Sequence, residues 1–390
     1  MIQRIFHPVG QGAFYSERHP GFNIVYDCGN WRNNEIANNV VRQAFDKNDT
    51  VDILFISHFD YDHISMIGTL KDSVRNIRCV VLPLLHDEHK IVIKAFNHLF
   101  DKTQSLDKLV DDPKEFFDGN TRIVFVKPNE NPESPNNRND SEKKRNDDEK
   151  GKYKKREEVV LETSEGTKEI EIESGVSICI RENHPWCFIP FNYKSESRSR
   201  QLLNILKDSN INKDKLNRIS YVNRKQKELK ECYKKVDGTA NENSMLVYSG
   251  PTFNINYKYW INDSFFLYHP FSNHYHPHHI SKYCSEQPAC IYSGDADFNK
   301  VNVKDVFHDL WEWVGTVQVP HHGAKSSFDK DFYEKEDDNS LICPISFGTD
   351  NTYGHPSPIV LGELIENGHF PVFITEKLGV TYVQKIDLLK

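Results

Sequence analysis

The chain of 390 residues is 37% hydrophobic and 12% aromatic, which is enough apolar material for one large core or two ordinary ones. Its formal net charge of −8, from 57 acidic and 49 basic residues, excludes a basic domain that grips nucleic acid over its whole surface. The eight cysteines are scattered without a CxxC pair, which favours reduced thiols, and neither an apolar leader nor a span of roughly 20 apolar residues is found, so we predict a cytoplasmic protein.

The first 128 residues alternate segments of strand and helix character. Strands are predicted at 22–27, 51–57, 77–83 and 121–128, and helices at 34–45, 64–74 and 90–100. The run 51–57 is almost continuously apolar, as expected of a strand buried on both faces of a sheet. This alternation indicates an α/β architecture.

The pattern collapses between Asn129 and Glu158, where Asn, Pro and charged residues leave almost nothing to bury. We predict a flexible insertion there. Its charges are mixed in sign, which favours a solvated loop over a polyelectrolyte arm for nucleic acid. Residues 199–236 have helical character and carry a basic stretch, 218–235, whose lysines are either solvated or in contact with phosphates.

Ordered structure is predicted to resume near Ser244. A helix is expected at 359–365, and strands are expected at 244–248, 289–293, 314–319, 341–347, 370–375 and 380–386. The tract 273–279 contains four histidines and is either a third metal site or, because it lacks carboxylate partners, a surface loop.

The strongest chemical signal is the segment 58–63, which directly follows the apolar run 51–57. Within six residues it presents two imidazoles and two carboxylates, His58, Asp60, Asp62 and His63. Ionisable groups at the mouth of a core strand are costly unless they are compensated, and divalent cations such as Zn, Mn and Fe suit both ligand types. The alternative is a polar loop with Asp62 as a helix N-cap, which accounts for one His and one Asp but not for two of each.

Three further strand ends have similar character. Asp295 follows the predicted strand 289–293, His321 and His322 follow 314–319, and His355 follows 341–347 after a loop. Ligands and catalytic groups concentrate where core strands end in loops. Four such strand ends in one chain predict a site.

The segment 58–63 resembles the HxHxDH motif of the metallo-β-lactamase superfamily, with Asp60 in place of the second histidine. One branch, the hydrolase domain of the ComEC competence proteins and its soluble relatives, is similar at further positions. These are Gly10-Gln11-Gly12, Tyr26-Asp27-Cys28-Gly29, Asn243-Ser244, Ser293-Gly294-Asp295 and Pro320-His321-His322-Gly323. The resemblance implies a four-layer αββα sandwich of the α/β class. Its first half would be 1–128 and its second half 241–390, with a partly disordered insertion at 129–240.

The resemblance also implies two divalent metal ions, Zn or Mn, as cofactors. His58 and Asp60 would hold one ion and Asp62 and His63 the other, with Asp295 as the bridge. Comparison with the usual Pro-Gly-His-Gly favours His322 as a further ligand, and His321 stays an alternative. Asp27 would orient a ligand histidine.

Two departures from the superfamily pattern are visible. Asp60 makes the first metal site harder and more anionic, which favours Mn as well as Zn. Asn243 and Ser244 fall where the superfamily usually has another histidine, for which His269 is a remote candidate.

Phosphodiester hydrolysis suits such a site, because metal ions can hold the oxygens on which negative charge develops. Asp62 or Asp295 would orient the attacking water. His355, with whichever of His321 and His322 is not a ligand, would donate a proton or hold the phosphoryl group. Lys325, Ser326 and Ser327 follow the two histidines closely enough to contact a phosphate.

The sequence is therefore compatible with three functions. The first is a phosphodiesterase, either a nuclease or a nucleotide-messenger hydrolase. The acidic charge of the chain suits a small nucleotide, or DNA delivered by a partner. Related stand-alone domains resemble components of bacterial defence cassettes, which suggests a protein partner from the same operon. The second is a hydrolase of a non-phosphate ester, lactone or amide, since fold alone does not fix function. The third is an interaction module with a degenerate metal site.

Overall fold

A computed structural model describes residues 1–100, 106–129, 156–161, 169–182, 184–194, 196–235, 243–252, 258–263, 287–334 and 340–389. The tract 273–279, His269 and most of the predicted flexible segment lie outside these ranges. Within them, no helix is both long enough and apolar enough to cross a membrane. Seven cysteines lie in the described ranges, and all are buried free thiols.

Eighteen strands are described: β1 (Ile2–Phe6), β2 (Phe14–His19), β3 (Phe22–Cys28), β4 (Thr50–Phe55), β5 (Asn76–Pro83), β6 (Arg122–Val126), β7 (Pro128–Asn129), β8 (Glu158–Val160), β9 (Glu169–Ile172), β10 (Ser177–Cys179), β11 (Trp186–Lys194), β12 (Asn243–Pro251), β13 (Lys258–Asp263), β14 (Ala289–Tyr292), β15 (Val314–Val317), β16 (Ile342–Ser346), β17 (Phe370–Ile374) and β18 (Tyr382–Leu389). They form two sheets. The first has the order β13-β18-β1-β2-β3-β4-β5-β6-β9, and the second has the order β17-β16-β15-β14-β12-β11-β10-β8, with β7 paired to β11.

The helices of the described residues are α1 (Glu35–Ala44), α2 (Tyr61–Ile64), α3 (Ile67–Ser73), α4 (Asp87–Asn97), α5 (Asp107–Asp111), α6 (Pro113–Phe116), α7 (Glu196–Asp208), α8 (Ile219–Arg224), α9 (Gln226–Lys235), α10 (Val303–Val306) and α11 (Pro358–Glu366). Local signals explain several of their ends. The Asn34 side chain caps α1 by accepting a hydrogen bond from the Ala37 N–H, and Pro358 occupies the first turn of α11.

The two sheets pack face to face with helices outside them. One apolar cluster joins the inner faces of both sheets, with Phe6, Tyr26, Phe55, Phe188 and Tyr292 among its members. A second cluster lies between the first sheet and α1 and α3, and a third lies between the second sheet and α11. The predicted α/β sandwich is confirmed.

The helices α7–α9 form a separate layer on α4. Leu202, Leu206 and Leu229 pack against Val92 and Phe96 in a fourth apolar cluster. At the end of α4, Asn97 donates a hydrogen bond of 3.1 Å to the carbonyl oxygen of Phe59. The helices α7–α9 therefore contact α4, and α4 in turn contacts Phe59 of the segment 58–63.

Several strands of the structure were not among the predicted elements. β1, β2, β11 and β13 were not predicted, and neither were the short strands β8, β9 and β10 inside the segment 129–240. Sequences such as EIEI in β9 are half polar and too short to show an apolar run. Both sheets thus contain strands from the segment 129–240, β9 in the first and β8, β10 and β11 in the second, and the predicted domain boundaries stay a prediction.

The single helix predicted at 64–74 is also interrupted. The chain leaves α2 at Ser65, whose hydroxyl donates to the carbonyl oxygen of Asn30 at 2.8 Å, and the Met66 N–H donates to Cys28 at 3.0 Å. These bonds attach the break between α2 and α3 to the end of β3.

A polar network is buried between the two sheets. Glu17 on β2 accepts hydrogen bonds from Arg4 (2.7 Å) and His19 (2.9 Å) of its own sheet. It also accepts hydrogen bonds from Ser249 (2.8 Å) and Tyr292 (2.9 Å) of the opposite sheet. Both side chains of the Arg4–Glu17 ion pair are at most 1% exposed. The network is part of the core that joins the sheets.

Candidate metal centre

The predicted site residues gather at one edge of the sandwich. Asp27 lies near the end of β3, the segment 58–63 follows β4, Asp295 follows β14, and His321-His322 follow β15. β3 and β4 are parallel neighbours in one sheet, and β14 and β15 are parallel neighbours in the other. The carboxyl ends of four strands therefore meet, which is where ligands bind in open α/β sheets.

Asp27 orients two histidine rings. It is fully buried and accepts hydrogen bonds from the Ser57 N–H (2.7 Å), the Ser57 hydroxyl (2.7 Å) and His63 Nδ1 (2.8 Å). Because its hydroxyl donates to Asp27, Ser57 Oγ accepts from His58 Nδ1 at 2.8 Å. Both rings thus donate through Nδ1, and each Nε2 points to Asp295, at 3.6 Å from His58 and 3.2 Å from His63.

His322 is held in the same manner. Its Nδ1 donates to the carbonyl oxygen of Ser346 at 2.8 Å, and its Nε2 lies 3.1 Å from Asp62 Oδ2. His322 has a φ of 55° and Asp27 a φ of 52°, a left-handed conformation that non-glycine residues rarely adopt. Strain of this kind costs of order 1–3 kcal/mol per residue and concentrates at functional sites.

These residues form two buried groups that could each hold a metal ion. One group is His58, His63 and Asp295, and the other is Asp62, His63 and His322. Within each group the ligand atoms lie within 4.8 Å of one another. His63 belongs to both groups, so the two are contiguous.

The electrostatics of the cluster favour a cation. Burial alone would raise the pKa of Asp295, but the charges of His321 and His63 hold that pKa well below its ordinary value. Burial and the neighbouring His63 lower the pKa of His58 to about 3, so its imidazole is neutral. Burial alone would lower the pKa of His63 and His322, but the carboxylates of Asp295 and Asp27 raise that of His63, and the hydrogen bond to Asp62 raises that of His322. A metal ion that binds these two rings would therefore release protons from them.

The donor set fits divalent metal ions. The Nε2 atoms of His58 and His63 are buried and make no hydrogen bond within the described residues. A buried polar atom without a partner is costly, and each of these two nitrogens faces a carboxylate across a gap. Their Nδ1 atoms are already engaged, as is usual for histidines that bind a metal through Nε2.

Asp60 and His321 lie at the margin of the cluster. Asp60 Oδ2 is 3.8 Å from His58 Nε2, and His321 Nε2 is 3.7 Å from Asp295 Oδ2. Neither residue belongs to the two groups of ligand atoms, whereas His322 does. His321 Nδ1 contacts the Ser327 hydroxyl at 3.2 Å, and its ring centroid lies 5.4 Å from that of His355.

The remaining predicted residues are placed less closely. Ser244 Oγ accepts a hydrogen bond from the Asp295 N–H at 3.1 Å, so it positions the loop that carries Asp295. Asn243 begins β12, and its side chain lies outside the described part of the chain. Lys325 and Ser326 are exposed, and of the three residues 325–327 it is Ser327 that contacts a histidine of the site.

Two residues that hold the histidines had no predicted role. Ser57 was visible as the last residue of the apolar run before His58, and a hydroxyl at that point was an available signal. Ser346 acts through its backbone carbonyl oxygen, which any residue would supply. No sequence pattern could have identified it.

Glycines let the backbone approach α2 closely. A Cβ on Gly29 would lie 2.5 Å from the carbonyl oxygen of Asp62 and 2.5 Å from the carbonyl carbon of His63. We therefore expect Gly29→Ala to displace α2, to destabilise the fold by about 1–3 kcal/mol, as overpacking does, and to weaken metal binding. Urea unfolding and metal titration measure these effects.

Gly68 in α3 is the matched control, because nothing lies within 4 Å of a Cβ placed there. We expect Gly68→Ala to leave metal binding intact and to stabilise the protein by up to about 1 kcal/mol. Equal effects of the two substitutions would contradict the close approach of Gly29 to α2.

Residues 9–119 match the family model of the metallo-beta-lactamase superfamily. Residues 9–119 carry a metallo-beta-lactamase superfamily domain. The predicted superfamily is thereby confirmed, and no curated protein matches the chain. The likeness to the ComEC branch stays a prediction.

The matched residues of the metallo-beta-lactamase domain contain Asp27 and the whole segment 58–63. Asp295, His321 and His322 lie beyond residue 119, and the second sheet brings them to the first. Members of the superfamily are mostly hydrolases that bind divalent metals, often zinc. The site is thus compatible with a metal-dependent hydrolase.

Proposed function

We propose that the protein is a binuclear metal-dependent phosphodiesterase that acts on nucleic acid or on a nucleotide, as a nuclease or a nucleotide-messenger hydrolase. One observation carries the proposal: three buried histidines, His58, His63 and His322, are each held through Nδ1 so that Nε2 faces Asp62 or Asp295. Zn or Mn suits this mixture of imidazole and carboxylate.

These distances support one assignment of ligand roles. His58, His63 and Asp295 would hold one ion. Asp62 would hold the other ion together with His63 or His322, and Asp60 lies at the margin. When bound, a pair of such ions supplies a nucleophilic hydroxide at neutral pH and a charge that stabilises the phosphoryl oxygens. Asp27 and Ser57 keep the rings of His58 and His63 in the orientation that this requires.

The residues at the margin of the centre would contact the substrate. His321 lies 3.7 Å from Asp295, and the ring of His355 lies 5.4 Å from that of His321. Neither belongs to the ligand groups, so both would donate hydrogen bonds to a phosphoryl or leaving oxygen. Burial and the neighbouring His321 and His322 lower the pKa of His355 to about 4, which keeps its ring neutral at pH 7. Lys325 and Ser326 are exposed nearby and would contact a more distant phosphate.

The setting of the enzyme is part of the proposal. Buried free thiols are typical of a reducing compartment, which supports action in the cytoplasm. The acidic net charge of −8 supports a small nucleotide, or a nucleic acid presented by a protein partner.

The test is hydrolysis of bis-p-nitrophenyl phosphate, single-stranded DNA and a cyclic dinucleotide panel with added Mn or Zn. The wild type is compared with Asp62→Ala and His63→Ala, each of which removes one ligand atom of the cluster. We expect metal-dependent cleavage that both substitutions abolish, and the preferred substrate chooses between a nuclease and a messenger hydrolase.

Other outcomes would replace the proposal. No cleavage of any phosphodiester by a protein that carries both metals would favour a hydrolase of esters, lactones or amides. A protein that binds well under one metal per chain, and whose stability is insensitive to chelation, would favour an interaction module with a degenerate site.

A further inference from the structure

Two loops from opposite sheets meet beside the metal centre. The loop after β3 carries Trp31, and the loop after β16 carries Tyr353. The rings of Trp31 and Tyr353 lie 6.0 Å apart at an angle of 88°, so they form a corner. An ion pair of 2.6 Å between Arg32 and Asp350 joins the same two loops.

The loop that carries Tyr353 is held in one conformation by Asn351. The Asn351 side chain accepts hydrogen bonds from the backbone N–H groups of Tyr353 (3.2 Å) and His355 (3.1 Å). It also donates to the carbonyl oxygen of His355 at 2.7 Å. The Tyr353 ring is therefore presented on an organised loop although the residue is 50% exposed.

The other wall of the corner is supported from below. The ring centroid of Trp31 lies 4.4 Å from that of Phe100, and Phe100 lies 5.7 Å from Tyr61 of α2. Tyr61 stands between Asp60 and Asp62 in the sequence. Trp31 is thereby fixed to the helix that carries ligands of the centre.

The exposed ring of Tyr353 is close to two histidines at the margin of the metal centre. Its centroid lies 5.8 Å from that of His355 at an interplanar angle of 29°, and His355 lies 5.4 Å from His321. Burial and then the carboxylate of Asp62 raise the pKa of the Tyr353 phenol, which places this ring within the field of the centre. One small molecule can therefore place one of its groups on Tyr353 and its phosphate at the metal centre.

We propose that Trp31 and Tyr353 form a nucleobase-binding corner, in which the face of Tyr353 stacks on the base next to the scissile phosphodiester. The inference rests on the proposed phosphodiesterase function and names the part of the substrate that these residues select. An aromatic face accepts any base, because every base has a π-face. The corner therefore selects nucleotides over other phosphodiesters and has little preference between bases.

The experiment compares two diesters with the same leaving group, thymidine 5′-(p-nitrophenyl phosphate) and methyl p-nitrophenyl phosphate. The readout is the ratio of kcat/KM for the nucleoside ester to kcat/KM for the methyl ester. We expect Tyr353→Ala to lower this ratio by about 5- to 150-fold, the size of one base–aromatic stack, mainly through KM of the nucleoside ester. Tyr353→Phe keeps the ring and should retain the ratio.

Phe373→Ala is the matched control, because Phe373 is 45% exposed and its ring contacts Phe347, at the start of the loop after β16, rather than Trp31 or Tyr353 among the described rings. A ratio that is the same in Tyr353→Ala and wild type would overturn the corner. So would a loss in Tyr353→Ala that appears only with a p-nitrophenyl ester of a long acyl chain, since that result would assign the rings to an acyl group.

A binding measurement distinguishes an incorrect nucleobase-binding corner from an incorrect proposed function. In calorimetry with the metal-loaded protein, we expect thymidine 5′-phosphate to bind more tightly than methyl phosphate, and Tyr353→Ala to remove the difference. If neither diester is cleaved, the phosphodiesterase proposal fails and this difference alone decides the corner. Equal affinities for the two phosphates in the wild type overturn the corner even when both diesters are cleaved.

Discussion

Asp295→Asn is expected to remove most metal binding and to lower metal-dependent turnover by more than about 100-fold. Removing a residue that only orients a metal ligand lowers metal affinity or activity by up to about 100-fold. We expect a larger loss here, because Asp295 is placed to be a ligand itself. Its carboxylate lies 3.6 Å from His58 Nε2, 3.2 Å from His63 Nε2 and 3.7 Å from His321 Nε2.

The physical reason is charge. Asn has the shape of Asp but carries no negative charge, so the substitution tests charge with little change in packing. Three histidines converge on this carboxylate. Burial alone would raise its pKa, but the charges of His321 and His63 hold that pKa well below its ordinary value. Without the carboxylate, a cation held by His58 and His63 would lose its anionic partner in a buried site, where charges are screened little.

The measurement is metal content after purification and dialysis, together with initial rates on the preferred substrate. Asp297→Asn is the matched control, because Asp297 lies two residues further along the same buried loop and its carboxylate contacts Asn299 and Lys300. Full metal content in Asp295→Asn, or equal losses in both variants, would contradict the proposed role of Asp295.

The chemistry of the site was predictable because ionisable residues cluster at strand ends. The segment 58–63, Asp295 and His321-His322 each follow a short apolar strand, and parallel strands bring such ends together. Their pairing was not predictable in detail. The contact of His322 with Asp62 spans 260 positions, and the choice between His321 and His322 depends on two left-handed φ angles in the turn after β15.

The missed strands have a common physical cause. β1 and β2 contain Arg4, Ser16 and Glu17, whose polarity hides the apolar alternation on which strand prediction relies. In the structure all three are buried, because each finds a partner across a strand or across the sandwich. A sequence displays the charge of Glu17 but not the four donors that surround it.

That network gives the largest expected effect on stability. Glu17→Ala is expected to lower the free energy of unfolding by roughly 3–5 kcal/mol, because breaking a buried ion pair leaves one charge without compensation. The charge left behind is Arg4, which is 0% exposed and, among the described residues, keeps the neutral acceptors of the Pro288 carbonyl and the Gln384 side chain. His19, Ser249 and Tyr292 lose an acceptor at the same time.

Urea denaturation at pH 7 measures this loss, with Glu35→Ala as the matched control. Glu35 also pairs with an arginine, Arg42, but its side chain is 74% exposed, and exposed pairs contribute little. We expect almost no change in the control. A loss in Glu17→Ala no larger than in Glu35→Ala would mean that the network does not stabilise the joint between the sheets.

The same carboxylate should make stability depend on pH. Burial alone would raise the pKa of Glu17, but Arg4 and His19 outweigh it and hold that pKa below its ordinary value. A depressed pKa means that the stabilisation is complete above the unfolded pKa of about 4.3 and is lost as the pH falls below it. Glu17→Gln cannot ionise, so its urea midpoint should fall less than that of the wild type between pH 5 and pH 3. Parallel declines of the two midpoints would show that other carboxylates govern the acid limb.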